Sequence, residues 1–130
     1  MTHYEHWREI RASHTDWPWK FFTPEEMSDR SDGSLVVDVA FMDRLDALRR
    51  LFGGPLRVLS AYRSPYHNAV VGGAPMSRHL AGDAVDISTV GMEKREALIV
   101  LAGDTGFRGF GYYRTFMHFD LGRPRSWGKE

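Results

Sequence analysis

The sequence contains no cysteine, which excludes disulfides, thiolate metal sites and cysteine nucleophiles. Any bound metal must therefore be held by nitrogen and oxygen donors. Net charge is also missing: seventeen basic and seventeen acidic residues cancel among 130. A chain so balanced lacks the electrostatic footprint of sequence-independent nucleic-acid binding, so no nucleic-acid partner is expected. Long apolar runs are absent too. No stretch approaches the ~20 apolar residues of a membrane span, which argues against a membrane partner. Residues 1–10 carry His3, Glu5, His6, Arg8 and Glu9 where a secretory leader needs an apolar run. The expectation is synthesis without a signal peptide and a cytoplasmic location until release by some other route.

What is present is enough apolar material for a core, at 42% hydrophobic and 13% aromatic residues, in a length that suits one domain over 1–130. The first 34 residues scatter Trp7, Trp17, Trp19, Phe21 and Phe22 among charges without a clean period, and residues 1–20 read as an N-terminal arm packed by its aromatics. Thr23-Pro24-Glu25-Glu26 has the form of a capping box with proline at the first helical position. Phe41, Leu45, Leu48 and Phe52 recur at spacings of four, three and four, which predicts a helix over 38–52 capped by Asp38 and stopped by Gly53-Gly54-Pro55. A strand is expected at 56–61, a long loop at 63–82, a buried strand at 84–87 and a second helix at 89–103. A hairpin of strands 107–113 and 116–121 follows, turning at Arg114-Thr115. The fold class this implies is α+β, a small antiparallel sheet with helices packed on one side.

Chemistry concentrates at two places. His79 and Asp86 stand seven apart in a segment where small residues at 81, 82 and 84 let the chain turn tightly. His118 and Asp120, two apart on a strand, share a face, while Met117, Phe119 and Leu121 take the other. Two histidines and a carboxylate suffice for a catalytic zinc, which takes three protein ligands and keeps a fourth position open. Each residue alone is as readily a satisfied strand histidine or a helix cap.

A longer pattern adds specificity: Ser60-Ala61-Tyr62-Arg63-Ser64-Pro65, Asn68, Val71-Gly72-Gly73-Ala74, Ser77-x-His79-x-x-Gly82-x-Ala84-x-Asp86-Ile87, Gly109 to Tyr113, Phe116-x-His118-x-Asp120-x-Gly122 and Arg125-x-Trp127. This resembles the D-Ala-D-Ala carboxypeptidase and murein endopeptidase family of zinc peptidases, related in fold to the hedgehog signalling domain, and covers about residues 21 to 127. The resemblance implies a zinc cleft over the sheet, with His79, Asp86 and His118 as ligands and a peptidoglycan peptide as substrate. Arg63 would hold the substrate beside the metal, where its fork of donors suits a carboxylate or a developing oxyanion, and Ser77 would lie in the substrate site. The bland reading of Arg63 is a brace for its own loop.

One departure stands out. Many relatives carry an acid three positions before the last ligand histidine, as general base; here that position is Thr115, whose hydroxyl cannot serve near neutral pH. Asp120 is the nearest acid with the right facing, as base or as a carboxylate orienting His118 through its other ring nitrogen. The rival class is a non-catalytic zinc module that binds wall or braces an assembly. A short wall hydrolase also suits a phage lysis enzyme or a virion-carried peptidase, with an assembly partner in the latter case. His3 and His6 have a helical metal spacing but no third partner, and His67 lies near Arg63 as a base of last resort. Tyr112, Tyr113 and Trp127 read as core or cleft wall.

Overall fold

Period-two alternation in two short segments builds the centre of the molecule. In the computed structural model, which describes residues 1–10 and 16–128, β4 (Ala84–Ser88) and β6 (Phe116–Asp120) pair antiparallel with Asp86 opposite His118. Residues 11–15 of the expected arm, and 129–130, lie outside the described residues. The pleat sends Val85, Ile87, Met117 and Phe119, all fully buried, to one face and Asp86, His118 and Asp120 to the other. Around this pair the five-stranded sheet runs β3 (Val58–Ser60), β4, β6, β5 (Gly109–Tyr112), β7 (Arg125–Trp127). It is antiparallel through its first four strands, and β7 joins the edge parallel to β5.

The apolar face is covered by α2 (Val39–Phe52) and α4 (Arg95–Asp104), which contact each other. The predicted stripe of α2 is buried at Phe41, Leu45 and Leu48 and half-buried at Phe52. Asp38 accepts a hydrogen bond from the Phe41 N–H, and Gly53 ends the helix in the left-handed region at φ 77°. Phe107 packs edge-on against Phe41 and tilted against Phe119, with centroids 6.0 and 5.9 Å apart. Such aromatic contacts add about 0.5–1.5 kcal/mol each beyond burial. No helix among the described residues is long and apolar enough to cross a membrane.

The structure adds order where the sequence suggested loop. In the N-terminal arm, β1 (Thr2–Tyr4) forms a separate two-stranded ribbon with β2 (Leu35–Val37). Trp17, Trp19 and Phe22 enter the core, with Trp19 Nε1 donating to Asp43 Oδ1 at 2.9 Å. The capping box forms on α1 (Pro24–Met27). The expected long loop contains α3 (Pro65–Val70), started by Ser64 as cap and Pro65 in its first turn. The second helix begins at Arg95 instead of 89. Gly91 sits in the left-handed region at φ 71°, and the Thr89 N–H is spent on the Thr115 carbonyl at 2.9 Å, so residues 89–94 form a turn docked on the hairpin.

Candidate metal centre

Three elements deliver the three residues. His79 lies in a single 3-10 turn, Arg78–Ala81, started by Ser77, whose Oγ accepts the His79 N–H at 3.2 Å. Gly82, at φ 77°, ends that turn and lets the chain enter β4, which carries Asp86 to its place opposite His118. The ligand atoms of His79, Asp86 and His118 all lie within 4.8 Å of one another. His118 Nδ1 is 2.9 Å and His79 Nε2 3.3 Å from the same oxygen, Asp86 Oδ1.

The protons of this group are committed elsewhere. His79 Nδ1 is 2.6 Å from the Ala61 carbonyl oxygen, which only accepts, so Nδ1 carries the hydrogen and the Nε2 lone pair faces Asp86. His118 Nε2 is 2.6 Å from Asp120 Oδ2, so it donates there and turns Nδ1 towards Asp86. Three electron-pair donors thus meet at one point, an arrangement that fits a cation. When those same nitrogens carry hydrogens instead, burial opposes ionisation of Asp86, but the bonds from His118 and His79 outweigh it and bring its pKa down to about 2; a bound cation would take the place of those hydrogens. Burial likewise favours neutral His118, yet the hydrogen bonds to Asp120 and then Asp86 outweigh it and raise its pKa.

Asp120 is fully buried beneath this group and does not line the cleft. Its Oδ1 accepts from the Gly122 N–H and Arg125 Nη1, and its Oδ2 from Arg125 Nη2 as well as His118, each of the first three at 2.8 Å. Burial works against the carboxylate, but the bonds from His118, Arg125 and Gly122 hold it well below the usual range. Arg125 arrives on β7, as does Trp127, whose ring is 5.1 Å from that of His118. This approach requires glycine at 111, where an added Cβ would stand 2.7 Å from the Trp127 ring and 3.0 Å from the His118 Cβ. Trp127 Nε1 donates to the Tyr113 hydroxyl at 2.9 Å, and Tyr113 stacks on Phe116 with centroids 4.3 Å apart.

The group opens into a cleft of about 570 Å³, lined also by Arg63, Ser77, Tyr113, Phe116 and Trp127. Arg63 is held by Asn68 Oδ1 at 3.0 Å and Ser60 Oγ at 3.5 Å, and Asn68 is itself tied to the Ala74 carbonyl. Among the described residues, Asp86 is the only carboxylate lining the cleft. Thr115 is exposed in the hairpin turn, outside it. His67 turns away to Asp29 Oδ2 at 3.1 Å, and His6 caps its own turn, residues Trp7–Glu9. What sequence reasoning missed is the support given by Arg125 to Asp120 and by Trp127 to His118. The signal was there: Arg125-x-Trp127 has the same period-two spacing as His118-x-Asp120.

His79, Asp86 and His118 form a group that could hold a metal ion beside an open cleft, with the number and type of donors that suit a catalytic zinc. The chain belongs to the peptidase M15 family, whose model matches residues 20–120. The family comprises metallopeptidases of the D-Ala-D-Ala carboxypeptidase type, usually dependent on zinc. No curated protein matches the sequence.

Proposed function

We propose that this protein is a zinc peptidase that cleaves peptidoglycan stem peptides or their cross-links. The observation that carries the reading is the convergence of His79 Nε2, Asp86 Oδ1 and His118 Nδ1, with each histidine's hydrogen assigned to an acceptor behind it. Two nitrogens and one oxygen are a common donor set for catalytic zinc. Zinc, when bound, supplies Lewis acidity and lowers the pKa of a coordinated water. The chain's own residues do the rest. Ala61 and Asp120 fix the two imidazoles in the tautomers that present a lone pair. Asp120 acts as a positioning residue, because all its near acceptor directions are taken. Arg63, braced by Asn68, offers its remaining N–H groups to a substrate carboxylate or a developing oxyanion. Ser77 borders the substrate and holds the His79 turn. The Tyr113 oxygen accepts from Trp127, which leaves the hydroxyl hydrogen free to donate into the cleft.

The test is release of soluble peptides from purified peptidoglycan by the zinc-loaded protein, with a chelated control. Product masses separate loss of a terminal D-Ala from opening of a cross-link. Stoichiometric zinc without any release would favour the second reading, a non-catalytic zinc module that binds wall. The observation on its side is that no second carboxylate lines the cleft among the described residues.

A further inference from the structure

Beside the metal cleft lies a second opening of about 430 Å³, formed by Met76, Arg78, Gly122, Arg123 and Arg125. Met76, Arg78 and Arg125 line both, so the two openings are continuous, whereas Arg63 and the metal group do not line the second. Its charge is of one sign. The carboxylates paired with these arginines are withdrawn beneath them: Asp83, bound by Arg78, is 9% exposed in its side chain, and Asp120, bound by Arg125, is 0% exposed. Arg78 and Arg125 keep 39% and 28% exposure. Each spends one edge of its guanidinium on its aspartate, which leaves further N–H groups for the groove. Arg123 is exposed, and its backbone carbonyl accepts from Arg125 Nη1. In a chain of zero formal charge, this places three guanidinium groups at the end of one groove that no acid among the described residues lines.

We infer that this groove is an anionic subsite that binds a free carboxylate of the peptide substrate, one remote from the bond being cut, and that Arg123 selects for it. The inference rests on the peptidase reading of the adjoining cleft. Arginine suits the task because its planar fork matches a carboxylate. The existing salt bridges hold Arg78 and Arg125 in place, so little side-chain entropy is lost on binding. Among the described residues the Arg123 side chain has no acidic partner, so its charge is the most available of the three.

The experiment uses the zinc-loaded protein and synthetic stem pentapeptides ending in D-Ala-D-Ala, in which each free carboxylate is amidated in turn. Binding is measured by calorimetry and cleavage by product mass. Arg123→Glu is compared with the parent and with Arg57→Glu, which makes the same charge change at an exposed position outside both openings. The expected result is that amidation of one carboxylate weakens binding and raises KM roughly three- to ten-fold in the parent. The same loss should follow from Arg123→Glu, should not add to it, and should be absent in Arg57→Glu. The difference should shrink in high salt. Equal behaviour of all the peptides on the parent, or equal losses in the two variants, would overturn the subsite. Loss of binding to a polyglycerol phosphate alone, with the peptides unaffected, would overturn it in favour of a wall polymer. If the parent binds the carboxylate peptide through Arg123 but cleaves nothing, the subsite stands and the peptidase reading falls.

Discussion

At position 120 a carboxylate with both oxygens occupied stands behind a histidine that faces the metal point, and the two roles open to it have different consequences. As a base it would need a free lone pair in the cleft. As a positioning group it needs what it has: His118 on one oxygen, the Gly122 N–H on the other, and Arg125 across both. Asp120→Asn keeps the shape but cannot accept from His118 and from both arms of Arg125 together. Zinc affinity should therefore fall by roughly 10–100-fold, as for loss of other groups that orient a ligand histidine. Competition against a chelator of known affinity reads this directly. Unchanged affinity together with a fall of about two to four orders of magnitude in turnover would return the base role to Asp120.

Among the elements, β7 shows how little sequence is needed to complete a site. Three residues, paired parallel to β5, bring Arg125 onto Asp120 and Trp127 over His118. Gly111→Ala tests this junction. His118 is anchored through Nε2 on Asp120 and by its place in β6, so the added methyl must displace Trp127, at a cost of about 1–3 kcal/mol. Urea unfolding should show the loss, and the Trp127 indole N–H resonance should shift; an unchanged midpoint and spectrum would place the strand elsewhere. Asp29 makes the corresponding junction at α3. It accepts from the Ser31 and Asp32 N–H groups on Oδ1 and from the Ser64 N–H and His67 on Oδ2. Burial opposes its charge, but the bonds from Ser31, Ser64 and Asp32 outweigh it and leave the pKa well below the ordinary 3.8. A folded-state pKa lowered in this way contributes stability in full above about pH 4 and loses it as the pH falls towards the folded value. Asp29→Asn should therefore cost on the order of 3 kcal/mol at pH 7, and the gap from the parent should narrow steadily below pH 4. A gap independent of pH would show that the carboxylate's charge is not what matters. The helix α2 and the facing of β4 and β6 were legible because their apolar periods run over whole elements, whereas His79, Asp86 and His118 stood out only through the longer motif, since the spacing of each alone fits a satisfied strand histidine or a cap as well. The strands β1 and β7 were not: three residues show no period, and each is defined by a partner distant in sequence. The helix α3 was hidden by Ser64-Pro65, which reads as turn chemistry and also starts helices.

For the molecule as a whole, the ligands come from a 3-10 turn and two strands that the apolar core already holds in register, so metal should add to an existing fold instead of creating it. The chelated protein should remain folded and melt cooperatively. Free zinc at 100 times its dissociation constant should add about 2.7 kcal/mol, which for a domain of this size raises the melting temperature by roughly 10 °C. Calorimetric scans with and without chelator check this, and an unfolded chelated protein would overturn it. The rim between the two openings is formed in part by Met76, a thioether left 89% exposed. Peroxide reaches such a sulfur first, and the sulfoxide it forms is polar, chiral and reducible only by dedicated enzymes. Ageing of the protein in air should therefore narrow its action at the groove before it touches the metal point. Peptide mapping should find Met76 oxidised ahead of the buried Met27, Met42 and Met117, and Met76→Leu should resist the change.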